Sequence, residues 1–158
     1  MEAAGQSRVF LVVVDETEEM RAALHYAARR AAHTGGRVAL LYVIEPSELQ
    51  HWMSIGDLAM EEQREDAEQL LHRLCAEIAP VAGSVPVVYI REGRRRDELL
   101  ALISEEPSIS ILVLAASAGP EGPGPLVSYL AGKPAARLRI PITIVPGGLT
   151  MEQLDRVS

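Results

Sequence analysis

At 158 residues, with 48% hydrophobic and 23% charged residues, the chain has the size and composition of a single soluble domain spanning 1–158. Its net charge of −7 argues against a nucleic-acid partner, because affinity for phosphate backbones comes from clustered Lys and Arg; no apolar run approaches the ~20 residues that span a bilayer, which argues against a membrane. A single cysteine, Cys75, excludes an internal disulfide and a thiolate-rich metal site, and Met1 to Arg8 lacks the basic start and apolar stretch of a signal peptide, so a cytoplasmic location is expected.

Five short apolar runs organise the rest: Val9 to Val14, Val38 to Ile44, Val85 to Ile90, Ile109 to Ala115 and Ile140 to Val145. Because they are continuous rather than alternating, both faces of the sheet they form are covered, which implies parallel strands under crossover helices. Between the first two, Met20, Leu24, Ala27 and Ala31 recur at helical spacing, and Gly35 supplies a left-handed stop. A loop over Pro46 to Asp57, carrying an exposed Trp52, precedes an amphipathic helix marked by Ala67, Leu70, Leu71, Leu74 and Ile78 and ending before Pro80. A shorter helix follows over Arg96 to Ser104. Leu126, Leu130 and Leu138 mark a last helical region that starts at Pro125 and breaks at Gly132-Lys133-Pro134, with Gly132 as its stop. Leu149 to Ser158 is polar enough to be a frayed terminal turn.

Right-handed crossovers over five strands allow a doubly wound open sheet of order 2-1-3-4-5 or 3-2-1-4-5. Val12-Val13-Val14-Asp15-Glu16-Thr17 resembles the V-D-x-S opening of the universal stress protein family. Leu41-Tyr42-Val43-Ile44-Glu45-Pro46 is similar to its H-V-x-x-P stretch, Arg91-Glu92-Gly93 to its V-x-x-G turn, and Pro141 to Val145 to its closing P-V-x-V-V strand. The order and spacing of all four span nearly the whole chain. The resemblance implies a five-stranded parallel sheet of order 3-2-1-4-5 with helices on both faces.

It also implies a phosphate-cradling G-x2-G-x9-G-[ST] loop after the fourth strand. Here the first glycine is Ala116 and Gly119 fits the second; the third position is open, since nine intervening residues reach Tyr129 and Gly132-Lys133 would need twelve. Counting back from Pro141 along a family-length helix selects Ser128 for the hydroxyl, with Gly122 and Gly124 as further backbone donors. Pro120, Pro123 and Pro125 lack the N–H such a cradle needs, and Glu121 adds a negative charge. Asp15 and backbone around Val43 are the implied ribose and adenine contacts, although Asp15 or Thr17 could instead only cap the following helix. Asp15, Gly119 and Ser128 are therefore expected to converge on one pocket at the carboxyl edge. Arg94-Arg95-Arg96 could draw an anion to the carboxyl edge, but a charge run that opens a helix reads as a solvated face, as does the acidic stretch Glu61 to Glu68. His25, His33, His51 and His72 lack a carboxylate neighbour or metal-ligand spacing.

The function implied is a small dimeric regulatory module, not an enzyme, that binds ATP or AMP weakly, with no metal site. A nucleotide-free interaction protein with a protein partner, and a weak ATP hydrolase, are the alternatives. The last strand, apolar and at the sheet edge, is expected to pair with its copy in a homodimer.

Overall fold

The structure is a computed structural model and describes residues 7–46 and 56–158. Its elements are β1 (Val9–Val13), α1 (Met20–Thr34), β2 (Arg37–Ile44), α2 (Gly56–Ala82), β3 (Val87–Glu92), α3 (Arg95–Glu105), β4 (Ile111–Ala116), α4 (Pro125–Leu130), a 3-10 turn (Lys133–Arg137), β5 (Ile142–Pro146) and α5 (Met151–Val157). The sheet is wholly parallel with order β3-β2-β1-β4-β5.

Register explains why the central runs are continuously apolar. Val12 of β1 lies between Leu40 of β2 and Val113 of β4. Neighbours in β1 then bury on opposite faces: Phe10, Val12 and Val14 pack under α1 and α2, while Leu11 and Val13 pack under α3 and α4. Burial at ~25 cal/mol per Å² of apolar surface on both faces leaves these strands no polar side. The edge strand β3 departs from this pattern. It is shifted by two residues, to Val87–Glu92 instead of the expected Val85 to Ile90: Pro86 has no N–H to offer a ladder, so the strand starts after it and Val85 is left 59% exposed.

Two helix ends differ from the sequence reading. α2 does not end before Pro80; it runs on to Ala82, because Ile78 and Ala82 are buried in the core and Pro80 removes only one hydrogen bond from the final turn. Gly83, at φ 86°, makes the stop and donates its N–H to the carbonyl of Ala79. At its other end α2 includes Gly56 and Asp57, which the sequence reading assigned to a loop. The remainder of that loop, with Trp52, lies outside the described residues, as does His51.

The terminal segment is a helix rather than a frayed turn. Thr150 and Gln153 form a reciprocal capping box at its start. Leu154 is buried against α1, and Asp155 meets His25 at 2.7 Å and Arg29 at 3.3 Å. His25 thus has the carboxylate partner that its sequence neighbours do not provide.

Candidate functional site

The strand order reverses between β1 and β4, and the chain leaves in opposite directions from their carboxyl ends, which opens a crevice there. Two clefts occupy it. The smaller, about 150 Å³, lies between the ends of β1 and β4 and is walled by Asp15, Thr17, Pro123, Gly124 and Pro125. The larger, about 540 Å³, continues over β2 and is lined by Asp15, Glu16, Tyr42, Val43, Gln63 and Asp66, among others. Asp15, Thr17 and Arg95 belong to both.

Asp15 follows the central strand by two residues, and its Oδ1 accepts hydrogen bonds from the backbone N–H and the hydroxyl of Thr17. This is a local turn, not a helix cap: α1 starts only at Met20, behind Glu19, whose side chain makes no capping bond. The carboxylate is thereby held at the junction of the clefts, and among the described residues its Oδ2 accepts no hydrogen bond.

Arg95 was assigned to a solvated face, and the structure overturns that reading. The β3–α3 junction swings it into the crevice, where among the described residues it is the one cation that lines the cleft with the carboxylates of Asp15, Glu16, Glu45 and Asp66. Glu45 anchors it by accepting from the backbone N–H of Arg95 at 3.2 Å, with the guanidinium 3.8 Å away. The Nε of Arg95 is buried and makes no hydrogen bond, and the Oε1 of Gln63 in the same cleft is likewise unpaired. Burial holds the Tyr42 phenol above its ordinary value, and Glu16, Asp66 and Asp15 add to that against the opposing pull of Arg95.

The β4–α4 loop turns its donors inward. Ser117 N–H donates to the carbonyl of Pro123 at 3.1 Å, Gly119 N–H to the Ser117 hydroxyl at 3.2 Å, and Gly122 N–H to the carbonyl of Gly119 at 3.4 Å. Gly124, at φ 105°, then directs the chain into α4 beside the smaller cleft. Of the residues singled out from the sequence, Asp15, Val43 and Gly124 line the clefts. Ala116, Gly119, Gly122 and Ser128 do not; the carbonyl of Ala116 accepts from Gly147 at 2.7 Å, and Ser128 is exposed on α4. Of the trio Asp15, Gly119 and Ser128, only Asp15 lines these clefts, and the loop's N–H groups of Ser117, Gly119 and Gly122 are spent on bonds within the loop.

The sequence reading missed Tyr42, Gln63 and Asp66, the last placed on the solvated acidic face, and ranked the solvated face above an anion-drawing role for Arg95. For Arg95 a signal existed: it lies just past the carboxyl end of β3, the edge where ligands of open sheets bind. For Gln63 and Asp66 none did, since only the packing of α2 over β2 brings them to the crevice. Among the described residues no cluster of His, Cys, Asp and Glu could hold a metal ion, and no helix is long and apolar enough to cross a membrane.

The model of the universal stress protein family matches residues 7–146. No curated protein matches the chain. Among solved structures, universal stress protein UspA from Lactobacillus plantarum shares the fold with a TM-score of 0.72 at 16% identity, over 87% of this chain and 97% of that one. The universal stress protein from Archaeoglobus fulgidus in complex with dAMP has a TM-score of 0.60 at 14% identity, covering 89% and 98%. A universal stress protein in complex with cAMP has a TM-score of 0.53 at 18% identity, again covering 89% and 98%.

Proposed function

Since this chain belongs to the universal stress protein family, we propose that it is a regulatory stress-response module that holds an adenine nucleotide with a single phosphate in the crevice between β1 and β4. The observation that carries this reading is that two residues lining one cleft, Gln63 and Arg95, each hold a buried polar atom without a hydrogen-bond partner, Oε1 and Nε. An unsatisfied buried polar group costs about 1–3 kcal/mol, which a ligand offering one acceptor and one donor would recover. In this reading Asp15 takes the ribose, backbone at Val43 the base, and Arg95 the phosphate. Family members in complex with cAMP and dAMP support the ligand class.

Further phosphates would meet four carboxylates and a loop whose prolines have no N–H to donate, so AMP binds more tightly than ATP. Calorimetry with AMP, ATP and adenosine tests this directly. Binding of AMP ahead of ATP is expected; no response to any of the three would leave a nucleotide-free interaction protein. The role is binding rather than turnover, and steady release of inorganic phosphate from ATP by the purified protein would refute that part.

Assembly is the second part of the reading. β5 is an edge strand paired only with β4, its Ile144 is 40% exposed, and α5 packs on α1 rather than along its open side. A second copy of β5 in antiparallel pairing would satisfy that edge in a cytoplasmic homodimer. Ile144→Lys should shift the protein toward monomer in sedimentation, and a wild-type monomer at micromolar concentration would rule the dimer out.

A further inference from the structure

The crossover from β4 to β5 is a broken helix, and the break leaves a second concavity away from the crevice. α4 stops at Leu130, and the 3-10 turn takes over at Lys133 with Pro134 in its first turn. Pro134 has no N–H to give the carbonyl of Leu130, so the α-helical ladder cannot pass it. Gly132, at φ −85°, is not the left-handed stop expected from the sequence; the proline is the cause. The tighter turn leaves a groove of about 480 Å³ against the second half of α3.

Leu100, Ile103 and Leu138 supply its apolar surface, and Lys133, Arg137 and Arg139 its charge. No carboxylate lines it, on a chain whose net charge is −7. Arg139 is already engaged, donating to the carbonyls of Ile103 at 2.7 Å and Glu106 at 3.1 Å at the end of α3. Of the two acids at that helix end, Glu105 is paired with Arg91 at 2.7 Å, and neither it nor Glu106 lines the groove. Lys133 and Arg137 are exposed and form no ion pair among the described residues. Two cations without an ion pair among the described residues, beside an apolar surface that no carboxylate lines, select an anion that carries hydrocarbon. The volume falls in the range of about 300–1,000 Å³ typical of small-molecule sites.

We propose that this groove binds a small amphipathic carboxylate, its hydrocarbon body on Leu100, Ile103 and Leu138 and its carboxylate on Lys133 and Arg137. The site is separate from the nucleotide crevice and does not depend on that reading. An inorganic or sugar phosphate would leave the apolar surface wet, and a neutral lipid would leave both cations unanswered.

Calorimetry with decanoate, decanol and acetate tests the proposal on the wild-type protein and on the double variant K133Q/R137Q, whose positions are exposed and should leave the fold intact. Decanoate should bind; acetate, lacking the body, should not. The double variant should weaken decanoate by about tenfold or more while leaving decanol unchanged. Pro134→Ala, which lets α4 continue into the groove, should weaken decanoate and decanol alike. Absence of decanoate binding, equal binding by wild type and K133Q/R137Q, or equal affinity for decanoate and decanol would overturn it. So would binding confined to phosphatidylglycerol vesicles with none to free decanoate, since that result assigns the cations to a membrane surface.

Discussion

The two ends of α3 sit in opposite electrostatic settings. Its first residue, Arg95, lines a cleft with the carboxylates of Asp15, Glu16, Glu45 and Asp66, whereas its second half, from Leu100 to Ser104, faces Lys133, Arg137 and Arg139 across a groove that no carboxylate lines. A global charge of −7 forecasts neither. What differs is how each cation is used: Arg95 is fixed by Glu45 and partly buried, so it can address one anion with defined geometry, while Lys133 and Arg137 are loose on a 3-10 turn and supply charge without direction. The acidic crevice therefore suits a ligand of low charge with many polar groups. The basic groove suits one of single charge and large apolar area.

The largest effect that would break this contrast comes from the core that anchors α4. Leu130 is fully buried at the end of α4, and Leu130→Ala should cost about 2–5 kcal/mol in urea denaturation, with loss of decanoate binding before loss of AMP binding. A cost below ~1 kcal/mol would show that α4 is not anchored as described.

Next in size is the crevice itself. Arg95→Gln should weaken AMP by about tenfold or more and adenosine little, because only AMP has a phosphate for the guanidinium, and K133Q/R137Q should leave AMP unchanged. Equal losses for AMP and adenosine would place Arg95 away from the phosphate, even with the nucleotide site intact. If instead no adenine compound binds wild type, the nucleotide reading itself fails.

A third region, the face that carries α1 and α5, should respond to neither ligand, and smaller perturbations there calibrate the other two. Thr150→Ala removes the capping box and should cost about 1 kcal/mol, a fall of about 2–4 °C in Tm, with both binding activities retained. The smallest effect is one of pH. The hydrogen bond from His25 holds the carboxyl of Asp155 below its ordinary value, and Arg29 reinforces it. A carboxyl lowered in the folded state contributes stability above its unfolded value of 3.8, and that contribution is lost as pH falls through the folded value. NMR signals of Met151–Val157 should accordingly move toward unstructured positions below about pH 4, and Asp155→Asn should abolish the dependence. Signals that titrate identically in that variant would remove the role given to this pair.

The amino-acid sequence alone determined the parallel sheet. Its central runs are apolar on every residue because both faces of β1, β2 and β4 are covered, and a pattern set by burial on two sides is written locally in each strand. Pro125 as the opening of α4 and the break before Pro134 were legible for the same reason: a missing N–H acts within one turn. Asp15 and Val43 were legible as the ends of strands that must reach the carboxyl edge. Tertiary structure alone decided what faces what. Arg95 is one of three consecutive arginines, and only the turn after β3 brings it, and not Arg94 or Arg96, to the cleft lined by Asp15 and Asp66. Gln63 and Asp66 reach the crevice because α2 crosses β2, and His25 finds Asp155 at a separation of 130 residues. Polar partners of this kind leave no periodic mark on the chain, because their pairing depends on distance in space and not on spacing along it.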